Sequence, residues 1–150
     1  MHLLGASVVG FILLPLAFSC EISKNKVKIS QEYEHIILKQ LQRINLTVEE
    51  ELIQRNKHCK RNTTFHNIEN PEYFIHNASC NRMPTGLETN LEEDLKFLVE
   101  SIIGSLGCQC PTRQGKQRAN GKQPGLRRKL CKLKHTLAGI QKAYEQYNST

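Results

Sequence analysis

The chain has 150 residues, six cysteines, 39% hydrophobic residues and a formal net charge of +7. That length suits a signal plus one domain. It holds no Gly-rich phosphate loop, no nucleophile motif and no paired Cys-x-x-Cys, which argues against nucleotide-binding, hydrolase and zinc-finger chemistry.

In chain order, the first feature is an uncharged apolar run from Leu3 to Phe18. The run is short for a bilayer span, and the small residues Ala17 and Ser19 stand where a signal peptidase reads before Cys20. The expectation is a cleaved secretory signal over 1–19 and a single domain over 20–150. An uncleaved anchor and a lipoprotein box are the competing readings, and Phe18 fits the second poorly. All six cysteines, Cys20, Cys59, Cys80, Cys108, Cys110 and Cys131, fall in the second segment. An even count in a small exported chain reads as three disulfides, with Cys108 and Cys110 too close to join each other. Asn-x-Ser/Thr occurs at Asn45, Asn62, Asn77 and Asn148, which suggests a glycoprotein.

A helix is expected from near Ser30 to about Asn56, with Tyr33, Ile36, Ile37, Leu41, Ile44 and Val48 on one face. From Cys59 to Leu87 the pattern weakens into Asn-rich sequence. Asn70-Pro71-Glu72 can open a short helix there, with Asn as cap and Pro in the first turn, ending before Pro84. Next comes TNLEEDLKFLVESIIGSLG. Thr89 with Glu92 reads as a capping box, Glu92, Glu93 and Asp94 suit the positive end of the dipole, and Gly107 is a stop. Its apolar face is Leu91, Leu95, Leu98, Val99, Ile102, Ile103 and Leu106, which leaves Phe97 on the wet side.

The stretch from Cys108 to Leu137 carries nine Lys or Arg and no Asp or Glu. It divides into a polar loop, Cys110 to Pro124, and the start of a last helix. Leu126, Leu130, Leu133, Leu137, Ile140, Tyr144 and Tyr147 are spaced 4, 3, 4, 3, 4, 3, one continuous helical stripe. Arg128, Lys132, His135, Lys142 and Gln146 fall opposite, and Arg127 to Lys134 read as its polar side. The basic stretch has no stacking aromatic except His135, so nucleic acid is not an expected partner. Heparin-like polyanions need only clustered charge; a solvated loop is the plainer reading. The cysteines outside Cys108-x-Cys110 are scattered singly, so no metal is expected. His35, His58, His66, His76 and His135 have no nucleophile beside them; neither an enzyme nor a cofactor is expected.

Four amphipathic helices joined by two long connections suit an all-α, up-up-down-down four-helix bundle, since parallel successive helices need crossovers. With the signal, cysteines and sequons, this resembles the short-chain helical cytokines. Leu130-Cys131-Lys132-Leu133-Lys134 with Leu137 and Ile140, and the start Cys20-Glu21-Ile22, resemble interleukin-7. Cys110-Pro111 after a helix, followed by a polar loop, resembles interleukin-4, interleukin-13 and thymic stromal lymphopoietin. The spacing of Cys59 and Cys80 is close to that of interleukin-4. The chain departs from interleukin-7 at Ala143, where that family has a cysteine, and from interleukin-4 at Pro84 and Gly86, which interrupt a helix. The interleukin-7 pattern implies Cys59–Cys131, with Cys80 and Cys20 each taking one of Cys108 and Cys110. The resemblance also implies a secreted, monomeric cytokine that pairs cell-surface receptor ectodomains and triggers kinase signalling in immune cells. One receptor chain would take the first and third helices, through His35, Lys39, Gln42 and Arg43 with Glu93, Phe97 and Glu100. Another would take the first and last helices, through Arg128, Lys132, His135 and Lys142. Phe97 is the sharpest anchor candidate; its plainer alternative is packing under the chain after Cys59. A secreted basic host-defence or polyanion-binding protein is the rival reading.

Overall fold

Asn25 opens the first helix by accepting a hydrogen bond from the Lys28 amide at 2.9 Å. An Asn side chain at this position satisfies a donor that the first turn leaves orphaned. The helix therefore starts before Ser30, its expected beginning. In the computed structural model, which describes residues 25–60, 65–111 and 125–149, helix α1 comprises Lys26–Glu32, a π-helical segment Tyr33–Ile37 and Leu38–Gln54. The expected signal over 1–19, Cys20, Asn62 and most of the segment between Cys110 and Pro124 lie outside the described residues. Helix α2 is Pro71–Asn81, α3 is Thr89–Leu106 and α4 is Leu126–Ser149. The described residues are thus all-helical, with four helices and no strand.

The π segment follows from where the apolar residues stand. Ile29, Tyr33, Ile37 and Leu41 are buried at successive steps of four. Four residues overshoot one α-helical turn by about 40°, so three such steps would carry the stripe roughly 120° off the core. One extra residue in a wide turn returns most of that angle. The Leu38 amide accordingly donates to the Tyr33 carbonyl, five residues back. The expected assignment of Ile36 to the core face fails for this reason. The wide turn seats Ile37 inside, 1% exposed, and swings Ile36 out to 47%.

Helix ends follow local chemistry. At the end of α1, Asn56 takes φ 53°, and the Asn56 and Lys57 amides donate to the Ile53 and Leu52 carbonyls. This is a Schellman closure with Asn in the left-handed position. Asn70 caps α2 by accepting from the Tyr73 amide at 3.2 Å, with Pro71 in the first turn. The expected capping box at Thr89 does not form: Glu88 is the N-cap and Thr89 is already helical. Glu92 instead reaches back to accept from the Gly86 and Leu87 amides, at 2.7 and 3.1 Å. Gly107 ends α3 at φ 74°.

Both α1 and α2 pack against both α3 and α4. Tyr33 stacks on Tyr144 with centroids 4.6 Å apart, and Glu49 pairs with Lys134 at 2.8 Å, so α1 and α4 run antiparallel. The core between the helices is built from leucine and isoleucine, with Tyr144 its largest fully buried side chain. Gly139 of α4 is buried and lets Phe74 of α2 and Phe65 come close; a Cβ there would lie 2.8 Å from Phe74 Cζ. Two expectations on α4 are corrected here. Lys129 is only 9% exposed, because it falls beside Leu130 at the edge of the core stripe. Gln146 is half-buried and exchanges hydrogen bonds with the backbone of Ile68, accepting from its amide at 2.8 Å and donating to its carbonyl.

Two disulfides tie the helices together. Cys59, just after α1, is bonded to Cys131 of α4, and Cys80 of α2 is bonded to Cys110, which follows α3. Cys108 is also disulfide-bonded. Such bridges belong to an oxidising compartment. No helix among the described residues is long and apolar enough to cross a membrane.

Candidate functional site

A surface built for binding should show apolar or arginine side chains held outward by a rigid frame. The α1–α3 side meets this description. Arg43 of α1 reaches across to Asp94 of α3, with Nη2 to Oδ1 at 2.6 Å. Arg43 is mostly exposed and Asp94 is not, so the pair sits on the rim of the helix contact and contributes only about 0–1 kcal/mol. Its use is as a marker: it shows which turn of α1 lies against which turn of α3. One turn beyond Asp94, Phe97 is 59% exposed, and Ile36 on α1 is 47% exposed. Ile36 stands two turns before Arg43 on α1, and Phe97 and Glu100 stand one and two turns after Asp94 on α3. His35, Lys39, Gln42, Glu93 and Glu100 are exposed around them. The alternative that Phe97 packs beneath the chain after Cys59 does not fit an exposure of more than half.

Two members of this face were not legible beforehand. The sequence marks Asp94 only as a helix-dipole charge, and no local pattern announces its partner 51 residues away. Ile36 has the spacing of a core residue in an unbroken α-helix. A run of apolar residues at steps of four could have signalled the wide turn.

The α4 candidates do not form one equivalent patch. Arg128, Lys132 and Lys142 are exposed. His135 is exposed too, but its ring lies tilted against Phe65 with centroids 4.8 Å apart, and Phe65 in turn meets Phe74 edge-on at 6.0 Å. An open cleft of about 460 Å³ lies beside His135, between α1 and α4. Leu52, Ile53 and the Cys59–Cys131 bridge line it, with Lys57 and Lys134 at its rim. Glu49 is its carboxylate, already held by Lys134.

Asn45, Asn77 and Asn148 are each half-buried. Asn77 Oδ1 accepts from Asn81 Nδ2 at 2.8 Å, and Asn148 Oδ1 is buried without a partner.

At the base of α1, the Tyr33, Tyr144 and Ser105 hydroxyls are buried with none of them in hydrogen-bonding geometry. Burial pushes the Tyr33 phenol up to about 12, helped by Glu145 and Glu34. Burial raises Tyr144 further, and nearby Ser105 offsets this only in part. These groups belong to the packing of α1, α3 and α4, and a reactive constellation does not follow from them. Among the described residues, no three His, Cys, Asp or Glu side chains gather as a metal site.

No family model, curated protein or solved structure matches this chain.

Proposed function

We propose that this chain is a secreted, glycosylated short-chain four-helix cytokine. It acts by binding two cell-surface receptor ectodomains and bringing them together, so that their cytoplasmic kinases start signalling in immune cells. An up-up-down-down topology underlies the reading. The neighbour relations support it, since α1 and α2 each pack on α3 and α4 while α1 opposes α4. The single observation that carries the proposal is the α1–α3 side, where Phe97 and Ile36 stand exposed on the two helices that the Arg43–Asp94 pair joins. Large apolar side chains held outward on rigid helices are costly in water and are what a partner's pocket buries. On this reading the first receptor chain takes that face, and the second takes the α1–α4 side with Arg128, Lys132, His135 and Lys142. The sequons carry glycans in the exported form.

Phe97→Ala tests it. Removing a central anchor should weaken binding of labelled protein to responsive immune cells about tenfold or more, with helicity unchanged by circular dichroism. Loss of helicity with binding intact would reverse the face assignment.

Exposed Arg127, Arg128 and Lys132 favour a second reading, retention on sulfated polyanions. Retention predicts elution from immobilised heparin well above physiological salt. The host-defence reading is weaker, because the apolar stripe of α4 that would enter a membrane is buried in the core.

A further inference from the structure

The two described disulfides differ in their surroundings. His76 stands one helical turn before Cys80 on α2, and its Nε2 lies 3.7 Å from Cys80 Sγ. The same nitrogen is 3.0 Å from the carbonyl of Gln109, the residue before Cys110. Cys80 and Cys110 are both half-buried; Cys80 lies between buried Ser79 and exposed Asn81, whereas the chain neighbours of Cys110, Gln109 and Pro111, are both exposed. An attacking thiolate must reach one sulfur from outside, and the other departs as a thiolate. Departure is easier where a cationic imidazole can stabilise the leaving sulfur or give it a proton.

We propose that Cys80–Cys110 is a thiol–disulfide exchange site, with Cys110 the sulfur attacked and Cys80 the leaving group served by His76. The co-reactant is an external dithiol. Its thiolate forms a bond to Cys110 Sγ as the Cys80–Cys110 bond breaks, and the electron pair of that bond leaves on Cys80 Sγ. The protonated His76 turns its Nε2–H from the Gln109 carbonyl to Cys80 Sγ, transfers that proton and becomes neutral. The second thiol of the co-reactant then gives up a proton to solvent and displaces Cys110 from the mixed disulfide. The co-reactant ends as a disulfide, having supplied two electrons; Cys110 departs as a thiolate and takes a proton from solvent, so Cys80 and Cys110 both end as thiols. Opening unties α2 from the segment after α3. The tie from α1 to α4 through Cys59–Cys131 stays in place, as does the Arg43–Asp94 face, so this site stands or falls separately from the receptor-binding reading.

The test uses the whole oxidised protein with limiting dithiothreitol at neutral pH, quenched with N-ethylmaleimide and mapped by mass spectrometry. Cys80 and Cys110 should be alkylated about tenfold faster than Cys59 and Cys131. With glutathione in place of the dithiol, the trapped adduct should sit on Cys110. His76→Ala and His76→Gln should each slow the opening about tenfold with the Cys59–Cys131 rate unchanged, since Gln can donate to the Gln109 carbonyl but cannot deliver a proton as imidazolium does. Three results would overturn the proposal: Cys59–Cys131 opening first or equally fast, the adduct on Cys80, or a wild-type rate in His76→Gln.

Discussion

Gly139 and Gly104 lie on different helices with opposite demands. At Gly139 an added Cβ would meet Phe74 Cζ at 2.8 Å, Phe74 Cε1 at 2.9 Å and Phe65 Cζ at 3.0 Å. Two packed rings would have to move, and overpacking of this kind costs about 1–3 kcal/mol. The gain in helix propensity, about 1 kcal/mol, offsets only part of that. Gly104 has nothing within 4 Å. Gly139→Ala should therefore lower stability in urea denaturation, while Gly104→Ala should raise it by about 0.5–1 kcal/mol. The tyrosines give a pH prediction. Phenols ionise near 10 in an unfolded chain, whereas folded Tyr33 is held to about 12 and Tyr144 higher. Between those values the unfolded chain gives up protons that the folded chain keeps, so rising pH favours unfolding. The stability owed to the neutral phenols is complete below pH 10 and is lost as pH climbs through 12. A urea series across that range should show the decline, and the double variant Tyr33→Phe, Tyr144→Phe should flatten it. Equal slopes in the two proteins would disprove the assignment.

Among the elements, α1 carries the least expected feature. Its wide turn exists because Ile29 and Tyr33 lie one residue out of phase with an unbroken α-helix through Leu41 and Val48. Deleting exposed Glu34 removes that surplus residue. The helix should become regular, keep Ile29 and Tyr33 buried, and change stability by no more than about 1 kcal/mol. Inserting an alanine after Glu34 has the opposite effect. It rotates the preceding turns about 100° and turns Ile29 and Tyr33 toward water. At about 1.5–3 kcal/mol for each large side chain, the loss should be roughly 3 kcal/mol or more. Thermal denaturation of the two variants separates these outcomes; an insertion as stable as the deletion would show that the turn is not set by the core. The helix ends show how far local chemistry reaches. Asn70 with Pro71, and Gly107, act as the sequence pattern predicts. At α3 the pattern is right in kind but wrong in partner: Glu92 does reach back, though to the Gly86 and Leu87 amides. The choice depends on the turn at Gly86, φ 77°, which no spacing rule exposes.

At the level of the entire fold, α3 and α4 and most of their buried faces were written in the residue pattern, while for α2 the pattern marks only the opening at Asn70-Pro71. An apolar stripe every three or four residues has one way to leave water, and Leu130, Leu133, Leu137, Ile140 and Tyr144 take it. The exposure of Phe97 followed from the same periodicity, because it sits opposite the stripe of its own helix. Which helix lies beside which could not be read this way. Periodicity names the face that is buried and is silent about the face that covers it. Arg43 meeting Asp94, Gln146 bonding Ile68, and His135 tilted against Phe65 each join residues dozens of positions apart. Lys129 was lost to the sequence reading for a related reason: a residue at the edge of a stripe is wet or dry according to its neighbour's shape. Local order along the chain thus set the helices, their caps and their oily sides, since those depend on contacts within a few residues. Only the three-dimensional packing decided the π turn's outcome at Ile36, the register of α1 on α3 and the imidazole poised at Cys80. Each of these depends on side chains from separate segments competing for one volume.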